Sequence, residues 1–145
     1  MTTDIDVLNS VTKTLIDSHK GYERCCEVVD DSYALRSNFQ ERAQKRLTLV
    51  KDFQDQVRKL GGEPEEDGSV AGKVHRAWTS FSTLFANDEK AAVEAIDDGE
   101  EFLAEKIEKV LSDHELLPGT RVLLHRAQAD ATDGENFADA LEKAL

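Results

Sequence analysis

Residues 35–62 read LRSNFQERAQKRLTLVKDFQDQVRKLGG, and their spacing decides the fold. Leu35, Phe39, Ala43, Leu47, Val50, Phe53, Val57 and Leu60 recur at intervals of three or four, the period that lines one face of an α-helix. Arg58 and Lys59 stand where a helix C-terminus favours cations, and Gly61-Gly62 is a stop signal. A helix of about 29 residues rising 1.5 Å per residue would be about 43 Å long.

Upstream, Ile5, Leu8, Val11, Leu15, Tyr22, Cys26 and Val29 repeat the helical period, and Asp30-Asp31-Ser32 marks a turn. So short a connection makes the first two helices an antiparallel hairpin. Downstream, residues 61–68 form the chain's one Pro/Gly-rich stretch. Ser69 then reads as the cap of a shorter helix with Val70, Val74, Trp78, Phe81 and Phe85 on one face. Asn87 or Asp88 caps a further helix carrying Val93, Ile96, Leu103, Ile107 and Val110, ending near Asp113. Pro118-Gly119-Thr120 opens the last one, with Leu124, Ala127, Ala131, Ala138, Leu141 and Leu145, and Gly134 weakens it. Two long hairpins joined by a long connection predict an all-α, ferritin-like four-helix bundle, with an extra short helix in the crossover. The prediction is one domain over residues 1–145.

Composition narrows the function classes. With 18 Lys+Arg against 30 Asp+Glu the formal net charge is −12, which would repel a polyanion, so no nucleic acid is expected as a partner. No stretch approaches the roughly 20 apolar residues of a membrane-spanning helix, so no membrane partner is expected. The N-terminus is acidic where a signal peptide is basic, and a cytoplasmic location follows as the expectation. Cys25 and Cys26 are adjacent in a helical pattern, diverge by about 100°, and read as reduced packing residues.

Polar residues interrupt the core stripes. At 100° per residue, His19 falls about 20° from Leu8, Arg46 about 20° from Phe39, and Glu100 about 40° from Ile96. Gln128 lies about 40° and Glu135 about 20° from Leu124, and Glu23 flanks the first stripe at about 60°. Measured along the bundle from the first turn, His19 lies about 16 Å down, Glu100 about 18 Å and Arg46 about 22 Å, with Glu135 near the same level. These six form a candidate central polar layer. Di-iron bundles place Glu-x-x-His on two helices, and here no Glu is followed by His at the third residue. The expectation is that Arg46 supplies the positive charge that metal ions supply elsewhere, neutralising Glu100 and either Glu23 or Glu135. No metal and no cofactor are expected.

Other patterns are weaker. Glu63, Glu65 and Asp67 with Gly68 echo the start of an EF-hand loop, but Val74 stands where the bidentate Glu belongs, so the stretch reads as an exposed acidic loop. His75, Trp78, Phe81 and Phe85 share one side of the crossover helix, as packing anchors or as a partner groove. No Ser-centred elbow, phosphate loop or zinc spacing is present.

The sequence resembles a bacterial family of unknown function with a ferritin-like four-helix bundle. The resemblance rests on Lys20-Gly21-Tyr22, on Leu60-Gly61-Gly62-Glu63-Pro64, on Gly68-Ser69-Val70-Ala71-Gly72 with His75-Arg76-Ala77-Trp78, and on Gly99-Glu100, and covers residues 4 to 112. It implies the bundle and the crossover, and no established activity. Ferritin-like relatives include iron-storage and stress-protective proteins.

The leading expectation is therefore a non-enzymatic bundle acting by self-association, as a homodimer, or by binding a protein partner, in a stress-related setting. The alternative is a metal- or small-ligand-binding bundle using the polar layer. Charge is unevenly spread. Residues 1–60 carry ten acidic and ten basic groups, whereas residues 87–145 carry sixteen and six. The second helix alone has seven Lys/Arg against three acids, which suits it to acidic neighbours.

Overall fold

The computed structural model describes residues 2–29, 32–68 and 88–144. These residues form four helices: α1 (Thr2–Val28), α2 (Tyr33–Lys59), α3 (Glu89–Asp113) and α4 (Pro118–Ala144). Among the described residues there is no strand. Nor, among them, is any helix long and apolar enough to cross a membrane.

The helix ends follow from local chemistry. Ser32 caps α2, its hydroxyl accepting the Leu35 N–H at 3.2 Å, and Asp88 caps α3 by accepting from Ala91 N at 3.1 Å. The stop at Gly61-Gly62 is a Schellman motif. Gly61 has φ +84°, its N–H donates to Arg58 O at 3.0 Å, and the Gly62 N–H donates to Val57 O at 3.0 Å. Only glycine takes that backbone angle freely, so α2 ends there. The cap of α4 comes from another helix. Asp4, buried on α1, accepts the Leu117 N–H at 2.9 Å and sets its carboxylate at the positive end of α4.

The helices pack α1 on α2, α3 on α4, α1 on α3 and α2 on α4. The lateral neighbours are antiparallel. Lys106 of α3 donates to Ser10 O and Thr14 Oγ1 of α1, each at 3.0 Å, while nearer the start of α3 the Cys25 thiol reaches Ala92 O at 3.9 Å. Between α2 and α4, Arg46 meets Asp130 and Asp52 meets Arg126. Hence α1 and α4 run one way and α2 and α3 the other, and α2 ends at the opposite end of the bundle from the start of α3. Residues 62–68 run back along α1. Gly62 lies against Ile5 and Gly68 against Asp17, twelve residues and about 18 Å further along that helix. Six residues of extended chain span about 20 Å, so the strap is drawn nearly straight. Asn9 fastens it twice, donating to Glu63 O at 3.0 Å and accepting from Glu65 N at 2.8 Å, and Gln54 donates to Glu65 O at 2.9 Å. Residues 61–68 are thus a seam held by α1 and α2, with no curl of the EF-hand kind. The predicted crossover helix, with His75, Trp78, Phe81 and Phe85, lies outside the described residues.

The core has two halves. One contains Leu8, Val11 and Leu15 of α1, Leu49, Phe53 and Val57 of α2, Leu103 and Ile107 of α3, and Leu124, Ala127 and Ala131 of α4. The other contains Tyr22 and Cys25, Leu35, Phe39 and Ala43, Val93 and Ile96, and Ala138. Two predicted stripe positions shift. Leu47 is half-buried and Leu49 is buried in its place, because α2 turns one face to both α1 and α4. Cys25 is buried and Cys26 half-buried, because the side of α1 that carries Cys25 faces α3.

Candidate functional site

All four helices break their apolar stripe at one level. The break falls between Leu15 and Tyr22 on α1, Ala43 and Leu49 on α2, Ile96 and Leu103 on α3, and Ala131 and Ala138 on α4. Arg46 fills it. Its side chain is fully buried, and Glu100 opposite is 2% exposed. The two meet fork to fork, Nη1 donating to Oε1 at 2.7 Å and Nη2 to Oε2 at 2.6 Å. This is the bidentate geometry that makes arginine–carboxylate pairs strong and directional. Nη1 also donates to Ser18 Oγ, and Nε donates to Asp130 Oδ2 at 3.1 Å. Four of the five guanidinium N–H groups are thereby engaged, on three different helices.

A second shell closes around the pair. The Tyr22 hydroxyl donates to Glu100 Oε2 at 2.8 Å and accepts from Arg42 Nε at 3.2 Å. Arg42 Nη2 also donates to Asp130 O at 3.3 Å and lies 3.9 Å from Asp130 Oδ1. Both guanidinium groups lie against aromatic rings: Arg46 is 5.6 Å from the Tyr22 centroid, and Arg42 is 5.3 Å from that of Phe137. Two arginines one turn apart on α2 thus balance one carboxylate from α3 and one from α4. Burial works against the charge on Arg46, but the adjacent Glu100, its hydrogen bonds and Asp130 outweigh it and hold the guanidinium above its ordinary pKa. Burial, reinforced by the Glu100 charge, pushes the Tyr22 phenol up, so it stays a donor.

Gly134 makes the room. A Cβ there would lie 2.5 Å from Glu100 Cδ and 2.8 Å from Cγ, closer than such atoms approach, and closer still to Oε2. The residue that weakens α4 by helix propensity is the one that lets Glu100 stand upright between α3 and α4.

Of the six polar residues singled out by periodicity, the structure joins Arg46 and Glu100. His19 and Glu23 face the groove between α1 and α2. Residue 19 is rotated 100° from Ser18, which is the α1 residue that reaches the centre. His19 Nδ1 lies 2.9 Å from Ala43 O, Nε2 lies 3.3 Å from Glu23 Oε1, and the Glu23 side chain is 59% exposed. Glu135 is half-buried among carboxylates, and burial followed by Glu101, Asp97, Glu100 and Asp139 raises its pKa. Gln128 is half-buried and is not among the groups bonded by Arg46 or Glu100. Ser18, Tyr22, Arg42, Asp130 and Gly134 are the members that the wheel missed. Near the far end of α4, the carboxylates of Asp97, Asp139 and Glu142 gather within 4.8 Å of one another. Burial, then Asp139, Asp98 and Glu101, raises the Asp97 pKa.

Residues 3–113 match a family model described as a domain of unknown function (DUF2383), and the chain belongs to that family. The matched span contains Ser18, Tyr22, Arg42, Arg46 and Glu100; Asp130 and Gly134 lie on α4 beyond it. No curated protein matches the chain.

Gly134→Ala should therefore destabilise the protein by about 2–4 kcal/mol despite alanine's better helix propensity. Gly119→Ala, whose Cβ would meet only the end of the Gln56 side chain at 3.2 Å, should change stability by no more than about 0.5 kcal/mol. Urea unfolding of both variants checks the contrast.

The raised Asp97 pKa gives a pH effect of definite sign. The folded state binds this proton more readily than the unfolded chain, so the contribution to stability is unfavourable at neutral pH. It is relieved as pH falls through the raised value. Asp97→Asn should raise stability near pH 7 by a few tenths of a kcal/mol after solvent screening, with the gain fading toward pH 4. Equal gains at both pH values, or a loss at pH 7, would show that the carboxylates do not repel.

Proposed function

We propose that this protein is a non-catalytic, ferritin-like bundle of a bacterial cytoplasm, one domain over residues 1–145, that acts in stress physiology by self-association or by binding a protein partner. The carrying observation is the occupied centre. Where a di-iron bundle would offer carboxylate oxygens to metal, both oxygens of Glu100 face Arg46 donors, and Asp130 of α4 accepts from Arg46 Nε. The ferritin-like reading is supported by the helix directions, with both lateral pairs antiparallel and α2 ending at the opposite end of the bundle from the start of α3.

Association is supported by charge. The α3–α4 half carries sixteen acidic groups against six basic ones, and α2 is locally basic with seven against three. Exposed apolar side chains such as Val122 at 59% and Leu117 at 40% lie on or beside that acidic half.

Iron analysis and sedimentation of the purified protein test this reading. The expected result is protein without iron at its centre, whose association weakens in 1 M salt as surface charges are screened. Two irons retained per chain, and lost on Glu100→Gln, would establish the alternative, a metal-binding centre. Association unchanged in 1 M salt would remove the electrostatic part.

A further inference from the structure

The face formed by α2 and α4 carries charges of alternating sign. Its groove, of ≈420 Å³, is lined by Leu49 and Ala129, with Lys45, Arg126, Asp130 and Asp133 beside them. Lys45, Thr48, Asp52 and Gln56 fall on one stripe of α2, and Val122, Arg126, Ala129 and Asp133 on one stripe of α4, each within about 80° of arc. The helices are antiparallel, and the contacts of Arg46 with Asp130 and of Asp52 with Arg126 set their relative heights. On that scale Lys45 stands level with Asp133, and Leu49 with Ala129. Four charges thus mark the corners of the face, opposite in sign along each helix and across each level, with Leu49 and Ala129 between them.

Such a pattern is complementary to itself. Turned over about a twofold axis that lies in the face and runs along the helices, it brings Lys45 onto Asp133 of a second copy, and Asp52 onto Arg126 of that copy. The basic helix then lies on an acidic one. α2 has seven Lys/Arg against three acids and α4 three against five, whereas a twofold axis across the helices would stack α2 on α2.

Two other faces offer no such match. The α1–α2 face is crossed by residues of the 62–68 strap, held by Asn9 and Gln54. On the α3–α4 face Asp97, Asp139 and Glu142 gather, and two copies meeting there would set carboxylate against carboxylate. The α2–α4 face is also large enough. Each of its helices has 27 residues, so the face is about 40 Å long and about 20 Å wide, or about 800 Å², the share of each partner in a standard interface. Val122, exposed on the α4 stripe, adds apolar area to it.

We propose that two copies of this chain associate through the α2–α4 face, as a symmetric dimer with α2 of each copy against α4 of the other. This rests on the reading that the protein self-associates, and names the surface that does so. Each charged contact occurs twice, and the assembly closes at two chains.

Sedimentation of the full-length protein across a dilution series tests the surface. The parent is expected as a dimer that dissociates on dilution and weakens in high salt. Lys45→Glu and Asp133→Lys each set like charges against each other at both ends of the dimer, and each should weaken association tenfold or more. Mixed in equal amounts, the two variants should associate with each other as tightly as the parent. In the mixed dimer the reversed charge of one copy faces the reversed charge of the other, and the parental pair remains at the second contact. Recovery of this kind acts between chains, so a folding defect in either variant does not produce it. Asp97→Lys, on the α3–α4 face, should leave association unchanged. A dimer unaffected by Lys45→Glu and Asp133→Lys, a dimer lost in Asp97→Lys, or variants that do not recover on mixing would each overturn this surface and leave self-association standing. A parent that stays monomeric at every concentration would overturn the surface and the self-association reading together.

Discussion

A buried guanidinium is the constraint around which this bundle is arranged. Taking Arg46 and Glu100 out of water costs several kcal/mol per ion, and only close, bidentate geometry with the remaining donors satisfied offsets it. The fold meets that condition by bringing one polar group from each helix to the same level: Ser18, Arg46, Glu100 and Asp130. It also removes one side chain, at Gly134, where Glu100 must pass. The apolar halves on either side would tolerate some sliding, since Leu, Val and Ala layers differ little from one turn to the next. The polar layer would not. A slide of one turn, about 5.4 Å, would set Arg46 among the apolar side chains and leave Glu100 without its partner. The pair thus fixes the register of one hairpin against the other.

Much of this was legible in the sequence, for identifiable reasons. Helix ends are local events, so Ser32, Gly61-Gly62, Asp88 and Pro118 mark boundaries that the structure keeps. The meeting of Arg46 and Glu100 could be anticipated because both sit inside an apolar stripe and at similar heights. What a helical wheel omits is the direction of the neighbouring helix. His19 and Glu23 lie close in angle to the stripe of α1, yet that edge faces α2, and they line the groove there. Tyr22 reads as apolar because its ring packs like a core residue, and only contact shows that its hydroxyl spans Glu100 and Arg42. Gly134 reads as a weakness because propensity sees one helix at a time. Its purpose is set by a carboxylate 34 positions away in the chain.

The same layer organises the chemistry around it. Arg46 and Arg42 draw Asp130 and Glu100 inward, whereas Asp97, Asp139 and Glu142 crowd together without such a partner in the cluster. The acidity of the second hairpin is therefore neutralised at the centre of the bundle and left standing toward the end of α4. The side chains of the α1–α2 groove, His19 and Glu23 among them, lie outside this balance.

The central claim is that Arg46 and Glu100 act as one unit that specifies register, and a double-mutant cycle with Arg46→Met and Glu100→Leu in urea unfolding tests it most directly. Each single replacement should cost about 3–5 kcal/mol by stranding a buried charge, and the double replacement should return to within about 1–2 kcal/mol of the parent. Single variants that each cost less than about 1 kcal/mol and simply add would contradict the account.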